Sequence, residues 1–128
     1  MTLKILLFVA MGGAVGAVGR YSATLAITQW TGGGFPYGTM FVNILGSLLL
    51  GFLLAAISLN WSPSPEMRSF LQVGVLGAFT TFSTFSMDAY DQMTKGQYME
   101  MAMYVGGSVI VGILAMVMGV TIGRQLFA

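Results

Sequence analysis

Thr80-Thr81-Phe82-Ser83-Thr84-Phe85-Ser86 is the stretch on which the reading of this chain turns. Five hydroxyls and two phenyl rings stand where a lipid-facing segment would carry Leu, Ile and Val. The run from Phe70 to Phe79 before it is apolar apart from Gln72, but it is only half a membrane span long, and Asp88 and Asp91 follow. A bilayer core has no water to satisfy polar groups, so such a block must face protein or a wet cavity. Gly74 and Gly77 lie just upstream. The pattern predicts a third helix broken between Gly77 and Thr80, with two half-helices meeting at mid-membrane and backbone groups freed for a ligand or pore.

The rest of the composition agrees with a membrane setting. Of 128 residues, 56% are hydrophobic and 7% charged, against about 25% charged in soluble domains. The net charge of +1 gives no reason to expect nucleic acid as a partner. With no His and no Cys, imidazole acid–base chemistry, thiol nucleophiles, disulfides and the usual zinc or haem ligands are absent. No nucleophile–base pair, metal-ligand cluster or phosphate-binding loop stands out, so an enzyme is not expected.

Four apolar stretches predict an all-α membrane protein, a single four-helix transmembrane domain over residues 1–128 with helices at about 3–29, 38–59, 66–94 and 97–125. Trp30 to Pro36, Asn60 to Pro65 and Lys95-Gly96 are the turns. Lys4 and the apolar run after it resemble a signal peptide, but cleavage near Gly16-Ala17 would leave an odd number of spans, so the segment is taken as an uncleaved first helix. Lys4, Arg68 and Arg124 fall on the side of the termini, Arg20 and Lys95 toward the other. That difference is too small to fix an orientation. Insertion both ways would allow an inverted pair of copies. No internal repeat is visible, so any such symmetry must come from dimerisation.

Several side chains admit two readings. On a helix Phe82 and Phe85 share a face, with Thr81, Thr84 and Asp88 about 100° round from it. Phenyl edges are electropositive and hydroxyls donate, so these stripes suit an anion. Alternatively the rings pack and the hydroxyls bond back to helical carbonyls. Asn43 shares a face of the second helix with Ser47 and Gly51, and serves either an interhelical hydrogen bond or a pore wall. Arg20 ends the ridge Gly12-x3-Gly16-x3-Arg20, and either snorkels to the interface or places a fixed charge in an aqueous vestibule. Tyr104 and Ser108 extend a polar face on the fourth helix. Glu66, Asp88, Asp91 and Glu100 fall near predicted helix ends, and no carboxylate lies deep in the first, second or fourth helix. That absence favours passive conduction over proton coupling.

Three blocks carry a resemblance: Gly12-Gly13-x2-Gly16-Ala17-x2-Arg20-Tyr21, Gly38-Thr39-x3-Asn43-x2-Gly46, and Gly74-x2-Gly77-x2 followed by the hydroxyl–phenyl stretch. In this order and at this spacing the chain resembles the Fluc (CrcB-type) fluoride channels. The resemblance implies an antiparallel, dual-topology homodimer in a bacterial inner membrane, a multi-pass channel that lets fluoride leave the cytoplasm passively and limits its toxicity. It implies a pore lined by Asn43, Phe82, Ser83, Thr84 and Phe85, to which the polar face read on the fourth helix would add Tyr104 and Ser108. Arg20 and Asp88 match vestibule positions. A structural Na⁺ at the dimer centre is implied, held through the backbone carbonyls of Gly77 and Thr80. Ala78 stands where a second Gly is common, and Asp88 where Glu is frequent. The alternative is a small multidrug-type proton-coupled antiporter. It would need a deep carboxylate in the first helix, where none precedes Glu66.

Overall fold

The computed structural model describes residues 2–128. Four long helices, each apolar enough to cross a membrane, account for most of them. The chain is a multi-pass membrane protein. α1 (Leu3–Thr31) starts on Thr2, whose hydroxyl accepts from the Ile5 N–H at 3.3 Å, and stops at Gly32, where φ is 87°. Only a residue without Cβ adopts that left-handed cap cheaply. α2 (Tyr37–Leu59) follows. The third span covers Pro65–Thr94 in pieces, and α6 (Tyr98–Phe127) closes the chain. Compared with the sequence-based boundaries, each end moves by at most two residues.

The third span departs from a regular rod twice. Ser64 caps its start, accepting from the Met67 N–H at 3.1 Å with Pro65 as first helical residue, and α3 (Pro65–Arg68) begins. The winding then loosens into a π-helix over Ser69–Leu76 before α4 (Gly77–Phe79) restores the α form. Thr80 (φ −88°, ψ 158°) and Thr81 (φ −151°, ψ 119°) are extended, and α5 (Phe82–Thr94) resumes with Thr81 as N-cap. The break is where the glycines and hydroxyls place it. The π-helix has no counterpart in the sequence reading.

Glycine sets the packing. α1 lies against the first half of the third span, where a Cβ on Gly16 would overlap the Val75 carbonyl and one on Gly12 the Phe70 carbonyl. α2 runs along α6 in the same manner, Gly51 against the Met116 carbonyl and Gly119 against the Leu48 carbonyl. Such backbone-to-backbone approach is what small residues permit in membranes. After the break, α5 packs on α6. The two extended residues therefore redirect the third span from α1 toward α6, across the face of α2.

The ends follow from an even number of spans. The Asn60 side chain donates to the Phe127 carbonyl, so the second loop and the C-terminus share one end. Gly33 and Gly34 of the first loop face Lys95 and Gln97 across a cavity at the other end.

Candidate functional site

The break needs external partners, because two extended residues leave helical N–H and C=O groups without their usual mates. Asn43 on α2 supplies two at once. Its Oδ1 accepts from the Thr81 N–H at 2.7 Å and its Nδ2 donates to the Thr81 carbonyl at 3.0 Å. This is the two-point pairing that a neighbouring β-strand would offer. The approach requires Gly46, since a Cβ there would overlap the Thr80 methyl. Asn43 thus makes an interhelical bond and also lines a groove.

The five hydroxyls divide. Thr80 and Ser86 bond back to the carbonyls four residues earlier, Leu76 at 3.1 Å and Phe82 at 3.0 Å. Thr81 accepts from the Thr84 N–H at 3.2 Å and donates to the Thr84 hydroxyl at 3.1 Å, so it is a helix cap. Ser83 is exposed, its Oγ 3.4 Å from that of Thr81. The break sets carbonyls free, those of Gly77 and Thr80 among them. The Thr81 N–H, which would reach Gly77 in a continuous helix, goes to Asn43, and the Thr84 N–H goes to Thr81 Oγ1 rather than to the Thr80 carbonyl. Among the described residues no donor reaches the Gly77 or Thr80 oxygen, and both residues line the groove.

That groove holds about 350 Å³ and runs from Gln72 and Leu50 past Asn43, Ser47 and Ser108 to Phe82 and Phe85. The rings lie 5.8 Å apart, centre to centre, inclined at 41°. Phe82 is 79% exposed on this single chain. The Ser108 hydroxyl is buried with no hydrogen-bond partner among the described residues. On the other side of Phe85 a second, polar cavity of about 400 Å³ is lined by Thr39, Thr84, Asp88, Gln92 and Lys95. Phe85 packs on the fully buried Tyr104, ring centres 5.1 Å apart, and the Tyr104 hydroxyl donates to Asp88 Oδ2 at 2.9 Å. Ser108 lines the groove while Tyr104 bonds to Asp88 of the second cavity, although one helix face carries both.

Arg20 lies elsewhere. Its Nε donates to the Ala78 carbonyl at 3.0 Å, at the C-terminal end of the helical run before the break, and it lines neither cavity. A cation is favourable at that end of a helix dipole. Gly51, expected beside Asn43 and Ser47, faces the α6 backbone instead. Thr39, 4% exposed and on the wall of the second cavity, escaped the sequence reading as a site residue. Its spacing of four from Asn43 was the available signal.

The arrangement offers hydroxyl and amide donors, aromatic edges and freed carbonyls, with no cluster of metal-binding side chains among the described residues. Residues 7–120 match the family described as "CrcB-like protein, Camphor Resistance (CrcB)". The chain belongs to the CrcB family. Among its relatives, the Rhizobium meliloti protein named "Fluoride-specific ion channel FluC" is 46% identical over 121 residues, covering 94% of this chain and 97% of its own. The Agrobacterium fabrum protein of that name is 44% identical over 119 residues, 93% and 95% of the two chains. The Nitrobacter winogradskyi protein, named alike, is 40% identical over 126 residues, 98% and 100%. These CrcB relatives are ion channels, not enzymes.

Proposed function

We propose that this protein is a fluoride channel of the bacterial inner membrane, letting fluoride leave the cytoplasm down its gradient and so reducing fluoride toxicity. One observation carries the choice of ion: relatives 40–46% identical over nearly the whole chain bear the name of fluoride-specific channels. The geometry supplies a physical route. Asn43, Ser83, Thr84 and Ser108 offer donors to an ion that has shed water, and the edges of Phe82 and Phe85 flank it. A narrow path of this kind rejects larger, softer anions by fit. Tyr104 orients Asp88 in the polar vestibule, and Arg20 adds fixed positive charge beside the break.

The working unit in this reading is one four-helix domain paired with an inverted second copy. Phe82, a large ring left mostly bare on the single chain, supports a partner at the groove. The freed carbonyls of Gly77 and Thr80 suit a hard cation, which takes oxygen ligands. Four such oxygens, two from each copy, would hold a structural Na⁺ between the copies. Its contribution would be to neutralise carbonyl dipoles gathered at the break.

The test is flux from liposomes. Purified protein should release fluoride, read by an ion-selective electrode, while chloride stays inside. Phe82→Ile should cut fluoride release at least tenfold with the dimer intact on crosslinking. Equal rates for the two anions would end the selectivity reading, and normal flux through Phe82→Ile would remove the rings from it.

A further inference from the structure

Gln72 stands apart from the Asn43–Thr81 clamp and the hydroxyl block. It interrupts the apolar run of residues 70–79 and sits in the π-helical segment, about two turns before the break. Its side chain lines the same groove as Asn43, Ser108 and the two phenyl rings. It stands on the side of the second loop, opposite the Asp88 cavity.

One contact orients the amide. Arg68 Nε donates to Gln72 Oε1 at 3.4 Å, one turn toward the surface. With the oxygen committed to Arg68, the nitrogen is left with two N–H donors that meet no acceptor among the described residues. Further along this groove lies the buried Ser108 hydroxyl, also without a partner. A groove end that shows donors from an amide whose oxygen is held by a guanidinium fits a small anion and offers little to a cation.

We infer that Gln72 is an anion-binding station at the second-loop end of the groove, where a halide-sized, acceptor-only ion exchanges water for the amide N–H groups before it reaches Phe82 and Phe85. The inference rests on the fluoride-channel reading and adds to it a residue and a direction. Arg68 acts as the positioning residue, through the orientation it gives the amide. The ion passes from Gln72 to the ring pair on one side, and the Thr84–Asp88 cavity receives it on the other.

The test measures initial fluoride efflux from liposomes against internal fluoride concentration, for the full-length protein and for Gln72→Met and Gln72→Glu. Both variants are close to glutamine in size. The expected result is a rise of about tenfold in the half-saturating fluoride concentration for Gln72→Met, the ratio that about 1.4 kcal/mol of lost hydrogen bonding gives. A larger rise is expected for Gln72→Glu, which turns a donor into a like charge. An unchanged half-saturation in both variants overturns the inference, even if maximal flux falls, because that pattern means fewer intact channels. Failure of both variants to fold assigns Gln72 to packing and overturns it as well. If the unsubstituted protein releases no fluoride, it is the channel reading that has failed.

Discussion

The two halves of the third span are built on opposite terms. Residues 65–79 form the half that is apolar from Phe70 onward apart from Gln72, partly π-wound and pressed backbone to backbone on α1 through Gly12, Gly16 and Gly74. α5 is α-helical, rich in hydroxyls and carboxylates, and attached to α6 largely through Phe85 and Tyr104. The first half has almost no freedom to move, because its neighbours are main-chain atoms. The second half is held by side chains and keeps much of its surface open, Phe82 above all. One half fixes where the break falls, and the other displays polar groups from that fixed point.

The largest effect should come from breaking the rigid half. Gly16→Val places branched carbon on the Val75 carbonyl, where nothing flexible can yield. A loss of at least about 3 kcal/mol is expected, at the upper end of overpacking costs. The variant should fail to elute as a single species in detergent, or melt far below the parent. Gly13→Ala is the control on the same helix, since a Cβ there meets nothing within 4 Å. It should be neutral. A stable, conducting Gly16→Val protein would mean that α1 and the third span are not in backbone contact.

A smaller loss is expected at the joint between the halves. Asn43→Ala strips the Thr81 N–H and carbonyl of both partners while leaving α1 and the π-helix untouched. An orphaned polar group away from water costs about 1–3 kcal/mol, and water entering the groove offsets part of that. The net loss should be about 2 kcal/mol in a denaturant titration in detergent, with fluoride release reduced at least tenfold. Asn43→Gln does not rescue, since the longer arm misplaces both contacts. Full flux in Asn43→Ala would show that the break holds without its clamp.

How much of this was legible in the sequence follows the same division. The spans and turns were visible because apolar runs, Gly32 to Pro36, Ser64-Pro65 and Gly96 are written in residue types. The break was visible for a similar reason, as Gly77 and the hydroxyl block change the composition abruptly. The π-helix was not, because Ser69–Leu76 has no composition that asks for it. It coincides with the stretch where Gly74 meets Gly12, a tertiary contact between distant parts of the chain. The Arg20 bond was hidden for another reason. Its acceptor is a main-chain carbonyl, which has no letter of its own. The resemblance placed Arg20 in a vestibule, while its Nε reaches Ala78. Among the proposed site residues, those with side chains on one helix face could be named from residue types, and the freed backbone of Gly77 and Thr80 only by resemblance. Tyr104 was found without its partner, since Asp88 lies on another helix.

The smallest effect should come from the open half, at that same Tyr104. Tyr104→Phe keeps the buried ring against Phe85 and Phe35, so the packing there stands. It removes one hydrogen bond, to Asp88 Oδ2. Asp88 borders a polar cavity, so water replaces the lost donor and the carboxylate is not stranded. The expected cost is therefore near the low end for a charge-assisted bond, about 1.5 kcal/mol, read as a modest shift of the denaturation midpoint. The informative readout is flux. If the open half tolerates local change, fluoride release should fall only about two- to fivefold, well short of the loss in Asn43→Ala. A drop as deep as that of Asn43→Ala, at unchanged stability, would mean that the carboxylate must be held in one place for an ion to pass. α5 would then be as strictly positioned as the glycine-packed half, by a hydroxyl in place of main-chain contact.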